Sequence, residues 1–322
     1  RERGPRIVAI GGGHGLHSLL RGLKKHTKNL TAVVTVADDG GSSGSLRRSM
    51  GILPPGDIRN CLAAMSDEEA LLSQLFQYRF PDDEHGLRGH SFGNLLITAL
   101  TEITGSFEEA VAESGKVLAV QGRVLPATLH DVSLVADIRL PYMLSEVRVA
   151  GESHIPEVPG KINRVWLEPN DPPAYPGVIQ SILAADLIVI GPGSLYTSIL
   201  PNLLVPDILS ALRVSRALKI FVCNLATQPG ETDHYTAKDH IRALDEHVGG
   251  GFYEIVLINQ KTEGTLPDHV EWVLAEDVSE IESEVYQADL IDEHLPGRHD
   301  PEKLAKVLIE LLQERTGPLV ES

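Results

Sequence analysis

The sequence predicts an α/β protein on a doubly wound, mostly parallel sheet with a small inserted β-rich unit, and three observations carry that expectation. Short β-branched runs, suited to strands buried on both faces, alternate with stretches of helical periodicity. Several runs end in glycine-rich loops that lead into a helix: Gly11-Gly12-Gly13-His14-Gly15, Asp38-Asp39-Gly40-Gly41-Ser42-Ser43-Gly44 and Gly191-Pro192-Gly193-Ser194. From about Arg123 to Leu167, short alternating segments replace the helices, inside what otherwise reads as one domain over residues 1–322.

Ile7-Val8-Ala9-Ile10 is the first strand. Leu16, Leu19, Leu20 and Leu23 then recur at helical spacing up to Lys24-Lys25, and Thr31 to Ala37 is the second strand, completing a βαβ unit. Leu62 to Tyr78 carries a helical pattern interrupted at Ser66-Asp67, where either residue suits the N-cap of a second helix. Phe92 to Leu100 and Phe107 to Leu118 are helical, separated by Gly105-Ser106 as stop and cap. In the β-rich region, Ser133 to Ile138, Glu146 to Val149 and Ile162 to Trp166 are expected to form a small antiparallel sheet. The parallel alternation then resumes. A helix over Val178 to Ala185 precedes a strand at Leu187 to Ile190, a helix running to about Ala217, and a strand at Lys219 to Cys223. A helix at Tyr235 to His247 and a strand at Glu254 to Ile258 follow, and the last helix starts at Pro301 with Asp300 as its cap.

Composition narrows the partners. With 28 Lys and Arg against 45 Asp and Glu in 322 residues, the formal charge of −17 argues against nucleic acid, whose binding needs clustered cations. An anionic ligand is therefore small and locally held. Cys61 and Cys223 lie far apart with no metal-ligand spacing, so neither a disulfide framework nor a zinc site is indicated. No apolar run reaches the ~20 residues that span a bilayer, and no charged-then-apolar leader opens the chain. A cytoplasmic homo-oligomer with no membrane span is the expectation; the sequence specifies no protein partner.

The loops carry the chemistry. Glycine lets the chain turn sharply and lets backbone N–H groups approach a phosphate, while the following helix adds its positive end. Gly11, Gly12, Gly13, His14 and Gly15 are accordingly candidate ligand contacts. The G-x-G-x-x-G dinucleotide fingerprint survives there only as Gly13-x-Gly15-x-x-Ser18, which disfavours NAD. In the second loop, Asp38 and Asp39 either contact ribose hydroxyls or hold Mg²⁺ at one of them. They are also the candidates for any catalytic role, with Gly40, Gly41, Ser42 and Ser43 as donors around them. No further cofactor is required. Arg59 and Asn60 follow Gly56-Asp57, and Arg59 is either a fork for a phosphate or a surface cation behind an N-capping Asp57. His90 and Asn94, then Gly193, Ser194 and Thr197, then Asn224 complete the set expected beyond the carboxyl ends of the strands. No GxxxxGK[ST], GxSxG or HExxH motif is present, and no activated nucleophile can be named.

Five blocks taken in order resemble the gluconeogenesis factor family (YvcK-type), within the wider group that contains 2-phospho-L-lactate transferase (CofD-like). They are Ile10-Gly11-Gly12-Gly13-x-Gly15-Leu16, Ala37 to Gly44, Gly56-Asp57-x-Arg59-Asn60, Gly89-His90-Ser91-x-Gly93-Asn94-Leu95 and Gly191 to Ser198. The similarity spans nearly the whole chain and departs at His14, where the family usually has Thr. It implies a Rossmann-like fold that binds UDP-sugars such as UDP-N-acetylglucosamine or UDP-glucose, with Arg298 helping to hold them. It further implies a regulatory role in cell shape and wall-precursor supply on gluconeogenic carbon sources, exercised by binding rather than by catalysis. The alternative that the resemblance offers is a transferase using a guanosine nucleotide and Mg²⁺ to pass phospholactate to an acceptor.

Overall fold

The computed structural model describes residues 4–66, 71–81, 86–87, 89–143, 145–276 and 278–316. β1 (Ile7–Gly11), α1 (Gly13–Leu23) and β2 (Leu30–Val34) form the expected βαβ unit, with Leu16, Leu19, Leu20 and Leu23 fully buried along one helix face. β2 stops at Val34, three residues short of the strand expected from its apolar run. The reason is local: Thr35 Oγ1 accepts from the Ala37 amide at 3.2 Å and bends the chain out of the ladder. α2 (Gly41–Met50) begins inside the second glycine loop, so Ser42, Ser43 and Gly44 belong to a helix turn.

α3 (Gly56–Met65) and α4 (Leu71–Gln77) are the two helices expected around the Ser66 interruption. Ser66 closes α3 from its C-terminal side, its hydroxyl donating to the Ala63 carbonyl at 2.8 Å; Asp67 lies outside the described residues. α5 (Phe92–Thr104) and α6 (Phe107–Val117) follow, capped by Ser91 and Ser106. β3 (Arg123–Pro126) pairs in parallel with β2 at the edge of the large sheet, although it begins the segment expected to be inserted. β4 (Ser133–Arg139), β5 (Glu146–Ala150) and β6 (Lys161–Glu168) make the antiparallel sheet, in the order β5-β4-β6.

α7 (Pro176–Ala184) and β7 (Leu187–Ile190) return the chain to the large sheet. The next helix is broken where the sequence reads continuously. A π-helical turn at Leu195–Ile199 leads into α8 (Leu200–Leu203), and α9 (Pro206–Val214) starts afresh because Pro206 holds Val205 extended. β8 (Leu218–Val222), α10 (Ala237–Val248), β9 (Ile255–Asn259), β10 (Glu284–Ala288) and α11 (Pro301–Thr316) complete the chain. The edge strand β10 has no counterpart in the sequence reading, because its alternating, partly exposed residues carry none of the apolar continuity of the central strands.

The seven parallel strands run β10-β9-β8-β7-β1-β2-β3. Leaving aside the antiparallel unit, this is a doubly wound order. It advances outward from β1 to β3, then restarts at β7 on the other side of β1. Right-handed crossovers then send the connections of the two halves to opposite faces, opening a crevice between the carboxyl ends of β1 and β7. α1 packs against α3 and α11, and α7 against α9. Both cysteines are buried, and burial pushes the Cys223 thiol up to about 12. Among the described residues no single helix is long and apolar enough to cross a membrane.

Asp300 caps α11 as its position suggests, its Oδ1 accepting from the amides of Glu302 and Lys303 at 2.9 and 2.8 Å. Asp300→Ala is expected to lower stability by ~1 kcal/mol, measured by urea denaturation; an unchanged midpoint would show that packing on α1 holds α11 without its cap.

Candidate functional site

The crevice is built where the loops after β1, β7 and β8 converge. It encloses about 380 Å³ and is lined by residues that include Gly12, Gly13, His14, Gly15, Gly193, Ser194, Asn224 and Arg298, eight of the sequence-predicted set. A second hollow of about 230 Å³ shares Gly13, His14, Arg298 and His299 with it and adds Asn60, whose carbonyl oxygen lies 3.2 Å from His17 Nδ1. The two loops touch through glycine. A Cβ on Gly15 would overlap the Pro192 carbonyl, and one on Gly12 would stand 2.6 Å from Asp57 Oδ2.

The third loop is held by its neighbours. Asn224 accepts from the Gly193 amide at 3.0 Å and donates to the Gly193 carbonyl at 2.8 Å, so its amide clamps two strand ends together. Ser194 Oγ accepts from Gln228 Nε2 at 2.6 Å. Gly11 is buried, and its carbonyl accepts from Asn202 Nδ2 at 3.0 Å. Thr197 is also buried, donating to the Glu231 carboxylate at 3.0 Å.

The second glycine loop and its partners stand beside the crevice lining, tied to one another. Asp38 Oδ1 accepts from the Gly40 amide at 2.9 Å, and Asp39 Oδ1 from the Ser153 amide at 2.9 Å. Ser42 Oγ lies 2.8 Å from His90 Nδ1 and accepts from Asn94 Nδ2 at 3.1 Å; Asn94 Oδ1 accepts from Arg59 Nε at 3.0 Å. Ser43 packs where a Cβ on Gly56 would collide with its hydroxyl, and Gly41 takes the left-handed backbone conformation that opens α2. Arg59 is thus a buried guanidinium, not a surface cation, and burial first, then Arg79, lower its value to about 10. Asp57 does not cap its own helix. Its carboxylate reaches across to accept from the Gly13 amide at 3.1 Å, at the N-terminus of α1.

Of the acids that meet here, sequence reasoning named Asp38 as a candidate contact and Asp57 as a candidate cap, and left out Glu152 and Glu231. Asp57 and Glu152 line the crevice, with Asp38 and Glu231 behind them. Burial, then Asp38, raises Asp57 to about 6 against the lowering pull of the Gly13 amide. Burial raises Glu231 to about 7, with the Thr197 hydrogen bonds opposing it. Glu152 is pushed far above the carboxylate range by burial and by Asp38 and Asp57, so it keeps a proton at neutral pH and shares it with the Asp38 carboxylate. It enters from the turn after β5, in no motif, and only the fold brings it to the glycine loops. Across the crevice, burial and then the Arg298 charge lower His14 from the usual imidazole value.

Magnesium at Asp38 or Asp39 is one of the two roles that the sequence leaves open for these acids, the other being ribose contact. Among the described residues no three acidic, His or Cys side chains are arranged to hold a metal ion, and Asp39 is committed to the 153–154 turn. The residues therefore do not form a cation cage of their own.

An open parallel sheet with a crevice at the point of strand-order reversal defines a Rossmann-type α/β protein. A family model, 2-phospho-L-lactate transferase CofD, matches residues 7–316, and the chain belongs to that family, within which it groups with the gluconeogenesis factors. It is 47% identical to the gluconeogenesis factor of Bacillus subtilis over 96% of this chain and 99% of that one. The gluconeogenesis factor of Listeria monocytogenes is 44% identical over 98% of each. The crystal structure of a UPF0052 family member from Bacillus halodurans superposes with a TM-score of 0.88 at 42% identity, covering 95% of this chain and 99% of that one.

Two expectations follow. Gly15→Ala must part the first and third loops, at a cost of about 2 kcal/mol or more; a melting temperature equal to wild type would show that the loops do not bear on each other. The raised acids make the folded protein hold more protons than the unfolded chain above about pH 4. Stability from that source is complete below about pH 4 and is lost as pH rises through about 6 and about 7. Asp57→Asn is expected to flatten the fall in melting temperature between about pH 5 and about pH 8, and a curve parallel to wild type would count against a raised Asp57.

Proposed function

We propose that the protein binds a nucleotide sugar, UDP-N-acetylglucosamine or UDP-glucose, in the crevice between β1 and β7 and acts as a regulator through that binding. The observation that carries this reading is the division of the crevice into two chemistries. One wall offers the positive end of α1, where the amides of His14 and Gly15 have no preceding-turn carbonyl to bond, together with the Arg298 guanidinium; these suit a diphosphate. The other offers neutral or acidic oxygens at Asp57 and Glu152, which suit hydroxyl groups. A volume of about 380 Å³ is within the range of small-molecule sites. The name gluconeogenesis factor that the relatives carry supports a role during gluconeogenic growth; the role in wall-precursor supply and cell shape is the part of this proposal that rests on the family resemblance alone.

The same acids favour the second reading. A proton-bearing Glu152 beside Asp57 is a pair with separated proton affinities, the pattern of general acid and base, and the matched family model is a transferase. The arrangement assigns no nucleophile in this chain, so binding without turnover is the primary reading.

A thermal-shift panel of UDP-N-acetylglucosamine, GDP with Mg²⁺, and NAD separates these readings, because a ligand at ~100 times its Kd adds about 2.7 kcal/mol. The uridine ligand is expected to stabilise the protein, and stabilisation by GDP alone would transfer the case to the transferase. Arg298→Ala is expected to weaken the uridine ligand about 10-fold or more while leaving the ligand-free melting temperature unchanged; equal affinity by calorimetry would remove Arg298 from the site.

A further inference from the structure

Four buried side-chain atoms among the described residues lack a hydrogen-bond partner: Asn202 Oδ1, Gln228 Oε1, His240 Nε2 and His299 Nε2. Such an atom has given up water and received nothing in return, which native interiors seldom tolerate without a purpose. Two of the four belong to residues that line the crevice, and they arrive from separate parts of the chain. Gln228 comes from the loop after β8 and His299 from the segment that leads into α11.

Each is already committed at one end. Gln228 Nε2 donates to Ser194 Oγ at 2.6 Å, which leaves its carbonyl oxygen as the unanswered group. His299 is 6% exposed, and burial holds the ring neutral by lowering it to about 4. A neutral imidazole has one donor and one acceptor. The Cys223 carbonyl faces this ring and only accepts, so it takes the ring's proton and the unpartnered Nε2 is the acceptor.

We propose that Gln228 and His299 are specificity-determining residues whose free acceptors receive hydrogen bonds from hydroxyl or amide N–H groups of the ligand in this crevice, resting on the nucleotide-sugar reading for the ligand's identity. Two neutral acceptors repel the oxygens of a phosphate, so the phosphate is left to Arg298. The acceptors read an uncharged, donor-bearing part of the same molecule. Their orphaned state in the free protein is a cost that occupation of the crevice relieves.

The test uses His299→Leu and Gln228→Met in the full chain. Calorimetry with UDP-N-acetylglucosamine and with inorganic pyrophosphate is read beside the ligand-free melting temperature. Each variant is expected to bind the nucleotide sugar about 10-fold more weakly or worse and to bind pyrophosphate as wild type does; a cooperative ligand-free melt shows that it folds, since each substitution also removes a donor, from the Cys223 carbonyl or from Ser194 Oγ. Unchanged affinity for the nucleotide sugar in both variants overturns the proposal, as does an equal loss of pyrophosphate, which would mark the residues as scaffold. Should His299→Leu not fold, Gln228→Met decides alone. If wild type binds GDP and no uridine ligand, the nucleotide-sugar reading fails, and the same comparison made with GDP decides whether the acceptors read a donor.

Discussion

The reversal of strand order between β1 and β7 is the constraint on which the rest of this molecule depends. Two adjacent parallel strands whose onward connections leave for opposite faces cannot be closed over by either connection, so a gap remains beyond their carboxyl ends. The gap stays narrow because the elements flanking it come close together, Gly15 against the Pro192 carbonyl and Gly12 against the Asp57 carboxylate. Asn224 locks the far side by pairing both polar groups of Gly193. A crevice of this kind is preorganised by backbone geometry, and its side chains need little movement to meet a ligand.

Electrostatics then divide the crevice. A chain of formal charge −17 gathers carboxylates even here, and it tolerates them by keeping protons on some. Asp57 illustrates the balance. Its contact with the Gly13 amide favours the charged form, burial and Asp38 favour the neutral one, and the net value of about 6 places it near the middle of the physiological range. A phosphate approaching α1 meets a helix end already partly answered by this carboxylate, so the positive charge of Arg298 counts for more than it would beside an unoccupied helix terminus.

Much of the fold was legible in the sequence because the central strands are buried on both faces and announce themselves as continuous apolar runs: Ile7 to Ile10, Leu187 to Ile190 and Lys219 to Cys223. The glycine junctions were legible for a related reason, since a close backbone approach leaves no alternative to glycine. β10 was not legible, because an edge strand with one partner needs no apolar continuity. The break between α8 and α9 hides in a run whose apolar spacing stays helical while Pro206 prevents the backbone from following.

The site divides along the same line. By itself the sequence determined which loops meet at the carboxyl edge of the sheet, because loop position follows from the alternation of strands and helices. It did not determine what each polar side chain does there. Ser42, His90, Asn94 and Arg59 are candidate ligand contacts in one dimension, and in three they are also joined in one hydrogen-bonded chain that no spacing announces. Glu152 and His299 carry no motif and reach the crevice through the antiparallel unit and the approach to α11. Whether a polar group is free or already paired depends on its neighbours in space, and only the tertiary structure, by bringing distant segments to one strand edge, decided that.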